Sequence, residues 1–574
     1  MKRYTKKIIS VILSAILIFF IWHRFLVTGN SVIFPIMFII FYQFINRMIK
    51  KIDKRKCIIT SIIAIMFAII EVICMSINED FTLNHVLDKW FLLNFSGYAI
   101  LMWLFISIVY NFLENHTLKL NIKKIEQCKL FSNLKKTCFI YISLIFLAWL
   151  PYFLRYFPGL LTLDSCDQVA QAIGRIGFSN HHPILHTGII SVFVNIGKTI
   201  TGNINIGVAL YTLFQMFTMA TMFSCVLIYL KKNQVPIIIR IALLLYYMFY
   251  PVNALFSVTM WKDILFAGII PVYIIQTLKL LYNTDEMLQD KKKISIYIII
   301  SILVMFLRNN GVYVVILALP FVIVTLRKYL KKMIAVSGII IVMYMVIRAS
   351  LFGFFNVKEG SVGEMLSIPL QQMARVKKYH KAEMEEETIN SINKFFKCDN
   401  IEEKYNPVLS DPVKAELNNE YFDKNKGEFI HLWLKLLTTY LKDYVESFIS
   451  NSYGYYYPEA KHWVANRTME KNDMGIYQKQ LIKGDVVTKV DSLIENRDIP
   501  ILSMGFSIGF AFWLVVIMLG YKILIKDYKC IPAYIIIFIL WLTIVASPVF
   551  CEYRYAYPIF TSLPLLIGFN FVKK

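Results

Sequence analysis

The stretch Thr137–Leu154, TCFIYISLIFLAWLPYFL, carries no charged residue and decides the class of fold. Its length comes close to the roughly 20 residues that an α-helix needs to cross the hydrocarbon core of a bilayer. Similar apolar runs recur along the chain, at Ile8–Phe25, Ile206–Leu230 and Cys530–Val549. Hydrophobic residues make up 57% of the 574 residues and charged residues 17%, against about 45–50% and 25% in soluble chains. The sequence therefore predicts an all-α polytopic membrane protein with about fourteen transmembrane helices.

The formal net charge of +23 is carried largely by short basic loops between the apolar runs. One such loop contains Lys50, Lys51, Lys54, Arg55 and Lys56. This distribution is the positive-inside pattern of membrane proteins, and it argues against nucleic-acid binding. The nine cysteines show no CxxC or metal-type spacing, so neither a disulfide framework nor a zinc site is indicated.

The basic loops also orient the predicted spans. The basic N-terminus is expected in the cytoplasm, and the fifth span leads outward to the loop 155–182. If the stretch 183–200 crossed the membrane, Lys231 and Lys232 would lie outside. If it is an amphipathic helix in the outer interface, these lysines and four later basic loops lie inside. The interfacial placement is favoured, with both termini cytoplasmic and the largest loop outside.

Four regions follow from this topology: an N-terminal four-span module (1–136), a membrane core (137–349), a mainly helical extracytoplasmic domain (350–499) and a C-terminal three-span segment (500–574). In the core, 294–327 is predicted as two short spans broken at an Arg-Asn-Asn-Gly turn, because Asn-Gly interrupts regular structure. In the extracytoplasmic domain, apolar residues at helical spacing predict helices at Glu383–Phe396 and Glu428–Ser450.

Asp164 follows an apolar run in the loop 155–182, where the mouth of a membrane cavity is expected. A carboxylate at that depth is costly unless it is used or paired, and this favours a general base. The alternative is a helix N-cap, a role that Asp164 or Ser165 would suit.

His182 and His186 are four residues apart and would share one face of a helix begun by Pro183. Such a pair can bind zinc, but no third ligand is evident. Histidines in this position more often lie at the membrane interface or donate hydrogen bonds to a substrate.

Asp263 opens a predicted span directly after Lys262. It is either an N-terminal aspartate favoured by the helix dipole or a second acid in the cavity of Asp164. The two aspartates are the candidate catalytic residues.

Arg308 lies in the middle of the apolar stretch 294–327, beside Asn309. Ionisable groups in such places usually face a pathway or bind an anion, and snorkelling to lipid headgroups is the alternative. Arg554 and Tyr555 occupy a similar place before the last span, and an arginine can hold a phosphate through paired donors. The candidate substrate-binding residues are therefore His182, Lys262, Arg308, Asn309, Arg554 and Tyr555.

Taken together, these features resemble the GT-C superfamily of membrane glycosyltransferases. The strings that carry the resemblance are FPGLLTLDSCDQ (157–168), HHPILHT (181–187), VTMWKDILF (258–266), LRNNGVY (307–313), SIPLQQMAR (367–375) and YRYAYP (553–558). They are similar to an uncharacterised Gram-positive branch of that superfamily, over about residues 137–574. Ser165 follows Asp164 where the best-known members carry a second acidic residue.

The resemblance implies transfer of a sugar from a polyprenyl-phosphate donor to a cell-envelope glycan or lipid acceptor, on the outer face of a bacterial cell membrane. Asp164 is then the first candidate for the base and Asp263 the second, while Lys262, Arg308 or Arg554 stabilises the phosphate leaving group. A divalent cation, Mg²⁺ or Mn²⁺, is compatible with two aspartates on one face but is not required by the sequence.

Three other functions compete with this one. A transporter or flippase of lipid-linked saccharides would show paired repeats and ionisable residues near the membrane midplane, and neither is found. A polysaccharide polymerase differs only in its acceptor. A non-catalytic relative of the fold would tolerate loss of Asp164. The transferase is favoured over all three.

Overall fold

The computed structural model describes residues 3–25, 33–115, 133–360, 362–461, 464, 467–483, 487, 489, 492, 500–546 and 548–572. These residues form α-helices, short 3₁₀ turns and isolated β-bridges, and they contain no β-strand. Most of the lysine-rich loop 115–136, both chain ends and most of 484–499 lie outside the described residues. The expected all-helical architecture is confirmed over the described part of the chain.

Ten described helices are long and apolar enough to cross a membrane, and a bent helix pair would be an eleventh. This number is consistent with a polytopic membrane protein, whereas the expected fourteen spans remain a prediction. The bend in the pair is 50°, at Pro251. Two further apolar helices, Gly311–Thr325 and Ile508–Leu524, are shorter than a full span.

The N-terminal module contains four helices: α1 (Arg3–Phe25), α2 (Ile33–Lys51), α3 (Lys54–Asp80) and α4 (Phe91–Glu114). Helix α3 begins where the side chain of Asp53 accepts a 2.7 Å hydrogen bond from the backbone N–H of Lys56. Such a cap satisfies a donor that the first helical turn leaves without a partner. The four helices share a small apolar core of their own.

The membrane core follows with eleven helices: α5 (Leu134–Arg155), α6 (Leu163–Ala172), α7 (Ile184–Thr201), α8 (Ile204–Lys232), α9 (Ile237–Phe249), α10 (Pro251–Ser257), α11 (Lys262–Tyr282), α12 (Thr284–Gln289), α13 (Lys291–Leu307), α14 (Gly311–Thr325) and α15 (Leu330–Phe355). The predicted break in 294–327 is present, because α13 ends at Leu307 and α14 begins at Gly311. Helix α7 is continuous and apolar enough to cross, and its interfacial placement stays a prediction.

The region 350–499, which the sequence predicts to lie outside the cell, contains α16 (Ser367–His380), α17 (Glu386–Lys394), α18 (Ile401–Lys404), α19 (Asp411–Ala415), α20 (Asn419–Lys424), α21 (Lys426–Thr439) and α22 (Leu441–Ser452). These helices enclose a second core, separate from that of the bundle. The helix expected at Glu383–Phe396 corresponds to α17. The helix expected at Glu428–Ser450 is two helices, because the chain breaks at Tyr440. Helix α15 also runs to Phe355, past the expected start of the domain at residue 350.

The C-terminal segment contains α23 (Pro500–Gly505), α24 (Ile508–Leu524), α25 (Ile531–Ala546) and α26 (Tyr553–Phe569). Helix α26 packs against α11, which is the most deeply buried of the candidate spans and also contacts α8, α13 and α25. The centre of the fold is therefore α11, and the residues at its two ends belong to two polar regions.

Candidate functional site

A short backbone pairing brings the loop 155–182 to the start of α11. The N–H of Leu160 donates to the carbonyl of Val258 at 2.8 Å, and the N–H of Met260 donates to the carbonyl of Leu160 at 2.9 Å. Gly159 has a φ of +140°, and a Cβ there would lie 2.3 Å from Oγ1 of Thr212. Only glycine fits this approach. The pairing holds the first turn of α6 beside the first turn of α11.

Asp164 lies in the first turn of α6, and its side chain faces two cations. Nη1 of Arg554 donates to Oδ2 of Asp164 at 2.8 Å, and Nζ of Lys262 lies 3.7 Å from the same oxygen. Burial alone would raise the pKa of Asp164, but the charges of Lys262 and Arg554 outweigh this effect and hold the pKa well below its usual range. Asp164 is therefore ionised at neutral pH.

The N-cap alternative for Asp164 is wrong. Thr162 occupies the N-cap position of α6 and makes no side-chain cap, because its Oγ1 accepts a 2.6 Å hydrogen bond from Nε1 of Trp261. Ser165, the other residue considered for this role, donates its hydroxyl to the carbonyl of Met260. Asp164 is thus left to pair with residues from other parts of the chain.

Lys262 joins Asp164 to the His-Pro segment. Its Nζ lies 3.2 Å from Nδ1 of His182 and 3.2 Å from the carbonyl oxygen of His181. Burial, followed by the charge of Lys262, lowers the pKa of His182 to about 3. The ring is then neutral, and Nδ1 accepts a hydrogen bond from the ammonium group, which can only donate. His182 therefore orients Lys262.

His186 does not share a site with His182. Its ring is fully buried, with Nδ1 next to the side-chain amide of Gln168 and Nε2 2.6 Å from the hydroxyl of Tyr211. Tyr211 in turn donates to Gln215, whose amide donates to the carbonyl oxygens of residues 256, 257 and 259. This buried chain of hydrogen bonds ties α6 to the segment before Lys262 and positions both sides of the site.

The acidic residues of the site pair with cations and form no metal-ligand cluster among the described residues. The described part of the chain contains no group of three or more His, Cys, Asp and Glu side chains arranged to hold a metal ion. Asp164 faces Arg554 and Lys262, and Asp263 faces Arg308, so each of these carboxylates has a cationic partner in the described structure.

Asp263 is paired with Arg308. Its side chain has no exposed surface, and Nε of Arg308 lies 3.1 Å from Oδ1. Within the described structure neither oxygen of Asp263 accepts a hydrogen bond of good geometry, so Arg308 is its main compensating charge. The helix-dipole interpretation is compatible with its place in the first turn of α11. Through its ion pair with Arg308, Asp263 also links the start of α11 to the end of α13.

Arg308 is buried and does not snorkel. Its guanidinium stacks on the ring of Tyr555 at 4.5 Å and on Phe266 at 5.8 Å, in addition to pairing with Asp263. The neighbouring Asn309 is exposed at the rim and donates to the carbonyl of Asn180 at 2.8 Å. The turn between α13 and α14 thus supplies one buried cation and one residue that anchors the loop.

Arg554 is the centre of the cluster. Besides Asp164, its guanidinium lies 3.2 Å from Oε1 of Glu552 and stacks on Trp261 at 5.0 Å and on Tyr555 at 4.9 Å. The aromatic faces stabilise the cation, and they fix the plane in which its donors point.

Glu552 is a site residue that sequence reasoning missed. Burial raises its pKa to about 7, against the lowering effect of Arg554. The sequence indicates its role only weakly, because Glu552 stands two residues before Arg554 and just outside the string YRYAYP. A carboxyl group that titrates near neutral pH is suited to proton transfer.

The fold therefore brings seven of the eight candidate residues into one charged cluster, with Asn309 at its rim. Three cations, Lys262, Arg308 and Arg554, face the carboxyl groups of Asp164, Asp263 and Glu552. Arg554 and Asp164 are 390 residues apart in the chain. Such convergence of buried charges is typical of functional sites.

A sequence profile of one family, DUF6020, a family of unknown function, matches residues 173–574. The chain belongs to this family. The DUF6020 segment contains His182, Lys262, Asp263, Arg308 and Arg554, and it begins nine residues after Asp164. No curated protein and no solved structure matches the chain.

Proposed function

We propose that this DUF6020 protein is a membrane glycosyltransferase that moves a sugar from a polyprenyl-phosphate donor to a cell-envelope acceptor. The observation that carries the proposal is the cluster of Arg554, Lys262 and Arg308 around Asp164, at one end of the central helix α11. A site for this reaction needs positive charge for a phosphate leaving group and a carboxylate for the acceptor hydroxyl. Both are within a few ångströms of each other here.

The donor phosphate would bind Arg554 and Lys262. The aromatic stacking of Arg554 leaves its N–H donors in one plane, which matches the paired oxygens of a phosphate. Nη1 of Arg554 donates to Asp164 and Nη2 to the hydroxyl of Tyr555. An incoming phosphate competes with Asp164 for both cations, and the leaving group then develops its charge beside them.

This competition would also activate the base. With Arg554 and Lys262 beside it, Asp164 holds protons too weakly to accept one from a hydroxyl group with ease. When the phosphate takes over those cations, the pKa of Asp164 rises toward its usual value. Donor binding would thus prepare Asp164 for the acceptor.

Asp164 suits the role of base better than Asp263. The Asp164 side chain is 25% exposed and can be reached by an acceptor, whereas the Asp263 side chain has no exposed surface and faces Arg308. We assign Asp263 to the positioning of Arg308. Glu552, 3.2 Å from Arg554, is the second candidate for proton transfer.

A GT-C-like core, about fourteen crossings and an extracytoplasmic site in a bacterial cell membrane are part of this proposal. The shorter helices α13, α14, α24 and α26 would supply the crossings beyond those long enough by themselves. A bundle of this kind lets a polyprenyl chain enter sideways from the bilayer while its phosphate reaches the polar end of α11. The charged cluster lies at that end and not midway along the helices, which disfavours a transporter.

The test is sugar transfer by the purified protein in detergent, with a panel of polyprenyl-phosphate sugars and cell-envelope acceptors. Asp164→Asn should abolish transfer while donor binding persists, and Arg554→Lys should weaken donor binding. Asp473→Asn is the control, since Asp473 pairs with Arg175 outside the cluster and its side chain is 91% exposed. Transfer that survives in Asp164→Asn would remove Asp164 as base. Movement of labelled lipid-linked sugar across proteoliposomes without transfer would favour the transporter instead.

A further inference from the structure

The second polar region of the bundle is a cavity of about 610 Å³ at the opposite end of α11. Its volume lies within the range of about 300–1,000 Å³ that is usual for small-ligand sites. Helix α11 has 21 residues, so the rise of about 1.5 Å per residue separates this cavity from Asp164 and Arg554 by about 30 Å. The cavity is therefore not part of the site described above.

The cavity contains more positive than negative charge. Its lining includes four lysines and two acids: Lys232, Lys279, Lys293, Lys522, Glu286 and Asp527. Glu286 lies 2.5 Å from Nζ of Lys293, and Asp527 lies 3.7 Å from Nζ of Lys522. Both acids are thus already paired with a lysine.

Lys232 and Lys279 have no acidic partner within the described part of the chain. Neither makes an ion pair or a hydrogen bond with any described residue, and each is close enough to the other for their charges to repel. Lys279 is only partly exposed to solvent. Lys232 is exposed at the mouth of the cavity, and an anion bound between the two lysines would relieve the repulsion of their charges.

Further hydrogen-bonding groups face the same space. Gln276 and Tyr229 also line the cavity, and neither side chain has a hydrogen-bond partner among the described residues. A phosphate group accepts several hydrogen bonds at once and carries the charge that the two lysines lack. A single carboxylate would use fewer of these donors.

Apolar side chains complete the lining, among them Leu278, Ile296 and Phe569. They make the cavity suitable for a phosphate that is attached to an apolar group. The cavity also lies at the end of the bundle where the basic loops meet, the level at which lipid headgroups would lie.

We propose that this cavity binds a phosphate group through Lys232 and Lys279, as a second anion site distinct from the cluster around Arg554. The ligand is either the headgroup of an anionic lipid or a free phosphate-bearing molecule. The proposal does not depend on glycosyl transfer, and it holds for any function of the charged cluster.

The experiment uses the full chain in nanodiscs of two compositions. In the first, phosphatidylcholine alone surrounds the protein, and inorganic phosphate is titrated while the thermal unfolding midpoint is followed. In the second, phosphatidylglycerol is included, and native mass spectrometry counts the lipids that stay bound. A response to inorganic phosphate identifies a free phosphate ligand, and retention of phosphatidylglycerol alone identifies a lipid headgroup.

The decisive variant is Lys232→Gln/Lys279→Gln, which should lose about tenfold or more in affinity because charge-assisted bonds to phosphate are among the strongest in proteins. It should fold, since these lysines hold no ion pair or hydrogen bond among the described residues. Lys331→Gln/Lys332→Gln is the matched control, because it removes two exposed charges from the same end without touching the cavity. Lys232→Arg/Lys279→Arg keeps the charge and should keep the binding. No binding in either nanodisc, or an equal loss in the control pair, would overturn the proposal.

Discussion

The buried pair of Arg308 and Asp263 offers the sharpest test of how the charged cluster is held together. In Arg308→Met the apolar stem remains, but the carboxylate of Asp263 loses its main compensating charge. The Asp263 side chain has no exposed surface, and neither of its oxygens accepts a well-formed hydrogen bond from the described residues. We therefore expect the free energy of unfolding to fall by about 3–5 kcal/mol, the usual result of breaking a buried ion pair.

A second ion pair in the same chain provides the control. Arg348 lies 2.9 Å from Oε1 of Glu359, a distance similar to that in the buried pair, but the two side chains are 35% and 65% exposed. Because exposed pairs contribute only about 0–1 kcal/mol, Arg348→Met should change stability little. The difference between the two variants isolates the effect of burial from that of the substitution.

The measurement is unfolding in mixed micelles of dodecyl maltoside and sodium dodecyl sulfate, followed by tryptophan fluorescence. The double variant Arg308→Met/Asp263→Leu removes both charges and should recover most of the lost stability, since buried pairs can often be replaced by apolar residues at little cost. It should not recover transfer activity. Equal destabilisation by Arg308→Met and Arg348→Met, or a double variant no more stable than Arg308→Met, would refute the reasoning.

Two further predictions concern Glu552 and His186. Burial raises the pKa of Glu552 from 4.5 to about 7 in the folded protein. Between pH 4.5 and about pH 7 the folded protein therefore holds a proton that the unfolded chain has lost. The free energy of unfolding should fall as the pH rises through this window. Glu552→Gln should flatten that part of a plot of unfolding midpoint against pH, and an unchanged slope would contradict the assignment. His186→Phe removes one hydrogen bond each from Tyr211 and Gln168, which keep their bonds to Gln215 and Thr187. The loss should be about 0.5–1.5 kcal/mol per bond, and transfer should slow because both sides of the site lose their alignment. His186→Gln, which can still hydrogen-bond, should restore part of both losses in the unfolding and transfer assays.

Much of the architecture follows from local properties of the chain. Apolar runs long enough for a bilayer become helices because a backbone in lipid must satisfy its hydrogen bonds within its own segment. The break at Arg308–Gly311 was predictable for a similar reason, since Asn-Gly and neighbouring polar side chains interrupt a helix within a few residues. The candidate residues could also be found, because a charge at the end of an apolar run is conspicuous against its surroundings.

The pairings among those residues depend on which helices pack together. The sequence presents Asp164 and Asp263 as two similar acids, but only the fold directs one to Arg554 and buries the other against Arg308. The HxxxH spacing suggests one site, yet the turn at Pro183 places His182 on Lys262 and His186 in a separate buried network. Glu552 is an ordinary acid in the sequence and becomes a group that titrates near neutral pH only through burial.

The sequence alone thus determined the helical membrane class and the set of charges, because hydrophobicity and helix breaking act over a few neighbouring residues. The tertiary structure decided which charges pair, which histidine faces the cluster and which carboxyl group holds its proton. These properties arise from contacts between segments up to 390 residues apart and from the loss of solvent around them.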